Sequence, residues 1–116
     1  MEAVVRVVSA DGALRRALVS RLANAPGITA RVQADVPRDW DFPEGDIVVV
    51  PATEVPPNRC QSLVASGVHV IVLAALPRQV ERASVLAAGA LAYVTMAVDL
   101  SPLTDAILKA LLFVSA

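Results

Sequence analysis

Asp46-Ile47-Val48-Val49-Val50-Pro51 is the stretch on which the fold turns. Its apolar residues run without polar alternation, so neither face is left for water and Asp46–Val50 reads as a fully buried strand. Such runs suit a parallel sheet covered by helices on both sides. Ala3–Val8 is a second run of this kind, interrupted only by Arg6, and His69–Leu73 is another. After the first run, Asp11 and Gly12 supply a helix cap and first turn. Leu14, Ala17, Leu18 and Leu22 then recur at helical spacing, with Arg15, Arg16 and Arg21 on the other side, until Pro26 and Gly27 break the helix.

Ile28–Ala34 alternates apolar and polar residues and is expected as a second strand at a sheet edge. Asp35–Gly45 has Pro37 and Pro43 and no apolar periodicity. The helix that should join strands two and three is therefore expected to shrink to a turn or one short helical piece. Pro56 and Pro57 open a short helix through Asn58–Ser66, closed by Gly67. Gln79–Ala88 is helical and ends at Gly89, and Ala92–Thr95 is a short fifth strand. Ser101 is expected to cap the last helix, with Pro102 at its first position, where a missing N–H costs nothing. Leu103, Ile107, Leu111 and Phe113 or Val114 carry it onward. Strands and helices alternating in this way predict a doubly wound α/β sheet.

The chain has 116 residues, enough for one domain spanning 1–116 with its own core. Hydrophobic residues make up 56% and aromatic ones only 3%, so that core is mostly Ala, Val and Leu. A formal net charge of −1 gives no electrostatic reason to expect nucleic-acid binding. No apolar run approaches the ~20 residues that span a bilayer, and the N-terminus enters a strand without a signal-peptide pattern. A single cysteine, Cys60, makes no internal disulfide, and a reducing cytoplasm is the expectation.

In their order and intervals these segments resemble the receiver domain of bacterial response regulators, particularly those joined to helix-turn-helix transcription factors. Val8-Ser9-Ala10-Asp11-Gly12 falls where that family has a strand followed by two acidic residues. Asp46-Ile47-Val48-Val49-Val50-Pro51 falls where it ends a strand on the phospho-acceptor aspartate. Val70-Ile71-Val72-Leu73-Ala74-Ala75 falls where a strand ends in Thr or Ser. Ala88-Gly89-Ala90-Leu91-Ala92-Tyr93-Val94-Thr95-Met96 falls where an aromatic leads to a lysine. The resemblance implies a flavodoxin-like five-stranded parallel sheet, order 2-1-3-4-5, with the site at the carboxyl ends of the strands.

The family's chemistry does not carry over. Pro51 offers no nucleophilic oxygen. Ser9 and Ala10 offer one hydroxyl where magnesium wants carboxylate oxygens. Ala74 cannot hydrogen-bond a phosphate, and Met96 cannot neutralise one. Phosphorylation at the usual site is therefore not expected, nor are a metal, a cofactor or an enzymatic activity.

Asp11 and Glu54 lie on loops at that end of the sheet. They read as a helix cap and a solvated carboxylate in preference to cation ligands or, for Glu54, a phosphate mimic. Tyr93 aligns with the family's switch aromatic, and without a phosphate to drive it reads as a packing and interface residue. The acidic residues Asp35, Asp39, Asp41, Glu44 and Asp46 lack calcium-loop spacing and read as a solvated loop. Trp40 and Phe42 among them are expected to fold back over the sheet edge left bare by the missing helix, with a partner contact as the alternative. Arg15, Arg16 and Arg21 read as a solvated helix face, with a partner surface as the alternative, and Cys60 and His69 read as structural.

The expectation is a phosphorylation-independent regulatory module that forms a homodimer or docks onto a linked output domain, controlling transcription from outside this chain. Leu111, Leu112 and Phe113 are the candidate interface, because the last helix has more apolar residues than one buried face requires. The alternatives are a small-molecule sensor using the emptied pocket and a localisation module of an ATPase-type regulator.

Overall fold

Residues 4–28, 30–38, 40–96 and 100–115 are described by a computed structural model, with side chains of the last helix through Leu112. Ten elements follow one another: β1 (Val4–Val8), α1 (Gly12–Ala23), β2 (Arg31–Asp35), β3 (Ile47–Pro51), a 3-10 turn (Ala52–Glu54), α2 (Pro57–Ala65), β4 (His69–Ala74), α3 (Gln79–Ala87), β5 (Ala92–Thr95) and α4 (Ser101–Ser115). All strands pair in parallel, in the order β2-β1-β3-β4-β5. This is the flavodoxin-like sheet that the alternation predicts, with β2 at an edge.

Period-two alternation along the central strands feeds two cores. Ile47 and Val49 of β3 and Ile71 and Leu73 of β4 face one side, against Leu18 and Leu22 of α1 and Leu103, Ile107 and Ala110 of α4. Val48, Val50, Val70 and Val72 face the other, against Cys60 and Leu63 of α2 and Val85 of α3. The strands are uniformly apolar because each has a helix layer on both faces. Each fully buried Val or Ile contributes at most about 1.5–3 kcal/mol, so the sheet centre dominates stability.

No helix joins β2 to β3 among the described residues. The sheet under that gap is polar, which removes the apolar surface on which a helix would pack. Arg6 of β1 donates from Nε to Asp46 Oδ2 at 2.7 Å and from a terminal nitrogen to Asp35 Oδ2 at 3.0 Å. The Phe42 ring lies 5.8 Å from the guanidinium carbon of Arg6, and the Trp40 ring 5.3 Å from that of Arg59. Trp40 and Phe42 pack against the α2–α3 core. They cover the face of the sheet, where the expectation placed them over its edge. The acidic stretch is likewise only partly solvated: Asp35 and Asp46 neutralise Arg6, Asp41 and Glu44 are exposed, and Asp39 lies outside the described residues. Trp40 adopts φ +53, a left-handed conformation rare for a bulky side chain.

Boundaries move slightly. β2 starts later than Ile28, at Arg31, and β3 extends to Pro51, whose missing N–H is tolerated at a strand end. Ser101 is already inside α4, whose first described bond runs from Thr104 N to Leu100 O at 2.9 Å. Gly89 closes α3 at φ +105, and a β-carbon there would lie 2.8 Å from Val64 Cγ1, so both backbone and space require glycine.

Candidate functional site

Every strand of the sheet ends at the same rim, and the sequence-predicted positions meet there. Ser9 follows β1, Pro51 ends β3, Ala74 ends β4, and Met96 follows β5 with its N–H donating to Ala74 O at 2.8 Å. A cleft of about 570 Å³ opens at this rim over Pro51, Ala74 and Met96, lined also by Asp11 and Glu54 together with Leu14, Leu76, Arg78 and Glu81.

Asp11 caps α1, with Oδ1 accepting from Ala13 N and Leu14 N at 3.1 Å each. This is the role its position predicts. Glu54 departs from expectation. Ala52–Glu54 coils into a 3-10 turn directly after Pro51, and that turn aims the side chain back across the sheet end. Glu54 Oε2 accepts from Ser9 Oγ at 2.7 Å and Oε1 from Ala10 N at 2.7 Å. Glu54 is thus a bridge between the β1–α1 and β3–α2 connections and not a solvated loop carboxylate. Both bonds are to an ionised acceptor, the stronger class of hydrogen bond.

Ser9 is fully buried, and its hydroxyl also accepts from Asp11 N at 3.1 Å. Arg15 donates to Ser9 O, so this arginine is half-buried and tied to the site where a solvated face was expected. Arg16 and Arg21 are exposed. Tyr93 packs half-buried against the α2–α3 core. Its hydroxyl donates to Glu81 and accepts from Arg78 N at 3.2 Å, which pins the start of α3 to β5. Burial, and then the Glu81 carboxylate, push the Tyr93 phenol above its ordinary range.

Cys60 is buried and free, and burial raises its thiol. A second hollow of about 210 Å³ lies between β5 and α4, lined by Leu91, Val94, Pro102 and Lys109 among others. On α4, Leu111 packs at the margin of the core, so it is not wholly an interface residue, whereas Leu112 is 72% exposed. The Phe113 side chain lies outside the described residues. The described residues hold no group of three or more His, Cys, Asp and Glu arranged for a metal ion. None of their helices is long and apolar enough to cross a membrane.

The fold is that of the receiver domains of response regulators. A response regulator from Thermotoga maritima superposes with a TM-score of 0.70 at 18% identity, covering 100% of both chains. A response regulator receiver protein from Pseudoalteromonas atlantica gives 0.72 at 14% identity, over 95% of this chain and 98% of that one. A structure named for a pilus assembly protein of Burkholderia thailandensis gives 0.71 at 13%, over 94% and 98%. The sequence matches no protein-family profile and no curated protein.

Proposed function

We propose that this chain is a phosphorylation-independent receiver, a regulatory module that works by dimerising or by docking onto an output domain, and that its output is control of transcription. The supporting observation is the Glu54 carboxylate bonded to Ser9 and Ala10 beside Pro51. Aspartyl phosphorylation needs a carboxylate at the end of β3 and magnesium held by oxygen ligands. Here proline stands at that end, and the carboxylate nearby is committed to holding two connections together. The module has no catalytic role in this reading and acts in the cytoplasm.

Dimerisation draws support from Leu112, exposed on α4 close to the margin of the core. The test is incubation with magnesium and a small-molecule phosphoryl donor, followed by intact mass and light scattering. An unchanged covalent mass and a dimer that Leu112→Glu disperses are expected. Phosphoryl incorporation would overturn the independence, and a monomer at all concentrations would overturn the dimer.

A second reading, a small-molecule sensor, is favoured by the cleft itself, which stays open over Pro51, Ala74 and Met96 at a topological switch point. Stabilisation in a thermal-shift screen supports it, and a screen without a hit counts against it. The pilus-assembly name of the Burkholderia structure keeps a localisation module of an ATPase-type regulator as the remaining alternative.

A further inference from the structure

The cleft at the ends of β3 and β4 combines two chemistries. Pro51, Leu73, Ala74, Met96, Leu14 and Leu76 give it an apolar lining. Asp11, Glu54 and Glu81 line it beside Arg78, and Arg15 is tied to Ser9 O next to Glu54, so three carboxylates against two guanidinium groups leave a formal surplus of one negative charge. The carboxylates keep acceptor capacity. Each Glu54 oxygen takes one bond from the protein, from Ser9 Oγ and Ala10 N, and a carboxylate offers about four acceptor positions. Asp11 uses Oδ1 for both of its cap bonds.

We propose that this cleft binds a compact organic cation, an ammonium or guanidinium group on an apolar body. Its charge sits against Glu54 and Asp11 and its body against Leu14, Leu76 and Met96. The proposal deepens the sensor reading and rests on it. An anion would meet the carboxylate surplus. A neutral apolar ligand would strip water from those carboxylates without replacing its hydrogen bonds. A divalent metal is the weaker candidate, because the described residues hold no group of three or more His, Cys, Asp or Glu arranged for one. A bound cation pulls on the carboxylate that ties Ala10 to the β3–α2 connection, so occupancy is transmitted to the start of α1.

The test uses isotope-labelled protein titrated with hexylammonium, hexanoate and hexanol at matched ionic strength, read at the amide resonances of Ala10, Asp11, Thr53, Glu54 and Arg78. Hexylammonium is expected to give saturable shifts there, with the other two probes at least about five-fold weaker. Glu54→Gln and Asp11→Asn are each expected to weaken it by about two- to five-fold. Asparagine retains the helix cap, so Asp11→Asn stays informative even if Glu54→Gln perturbs the fold. Hexanoate or hexanol binding equally well in the cleft would overturn the cation assignment and leave the sensor reading standing. No saturable shift with any probe, or shifts confined to another surface, would overturn both.

Discussion

Glu54 and Ser9, 45 residues apart in sequence, are joined by a single hydrogen bond of 2.7 Å between Oε2 and Oγ. Ser9 is wholly buried, so removing the carboxylate takes away the acceptor that satisfies its hydroxyl. Glu54→Ala is expected to cost about 1–3 kcal/mol, the penalty for orphaning a buried donor. Ser9→Ala added to that variant should cost less than it does alone, because one of the two partners of the hydroxyl is already gone and only the bond from Asp11 N remains to be lost. Urea unfolding of the two single variants and the double variant measures the coupling, and additive costs would show the bond to be idle.

Arg6 and Asp46 form the most enclosed ion pair described, with side chains 16% and 6% exposed. Arg6→Met leaves Asp46 facing an apolar neighbour and is expected to cost about 3–5 kcal/mol. Adding Asp46→Asn should recover part of that loss, since the amide oxygen can still accept from Val4 N. Denaturation midpoints of the two variants are the check.

Tyr93→Phe removes the hydroxyl that holds Arg78 N and Glu81 while keeping the ring in the core. A loss of about 1 kcal/mol is expected. It should be accompanied by faster hydrogen exchange in the first turn of α3, with α1 unaffected. Equal acceleration in both helices would mean that the hydroxyl is not a local pin.

Trp40 is the only tryptophan and sits at φ +53. Trp40→Ala loses the ring and keeps the backbone strain, whereas Trp40→Gly loses the ring and relieves the strain. The glycine variant is therefore expected to be no less stable than the alanine variant, against the usual cost of about 0.5–1 kcal/mol for glycine. Calorimetric melting of the pair decides it.

Cys60 is raised by burial, so the folded state holds its proton more tightly than the unfolded chain does. Stability from this group is complete below the ordinary thiol range and falls as pH climbs from there through the folded value. Unfolding in reductant across about pH 8 to 10 should show a decline that Cys60→Ala lessens. Alkylation of the native thiol should follow unfolding, not precede it.

Much of the fold was legible because burial on both faces leaves a mark on the chain itself. Ile47-Val48-Val49-Val50 and Val70-Ile71-Val72-Leu73 carry no polar alternation, and Pro56, Pro57, Gly67 and Gly89 punctuate the helices between strands. Asp11 was readable as a cap because capping is a contact between near neighbours. The missing helix between β2 and β3 was readable from Pro37 and Pro43. What replaced it was only half visible, because Arg6 is held by residues far along the chain.

Local periodicity, and side chains that are present or absent, are enough to set the order of elements, the parallel sheet and the identity of the residues at its carboxyl rim. It takes the packed fold to turn Glu54 back onto Ser9 and Ala10, to let Tyr93 grip the start of α3, and to make Asp35 and Asp46 share Arg6. Each of those contacts joins residues from different elements. A charged or hydroxylated side chain has several partners within reach of its loop, and the packing of the sheet selects among them.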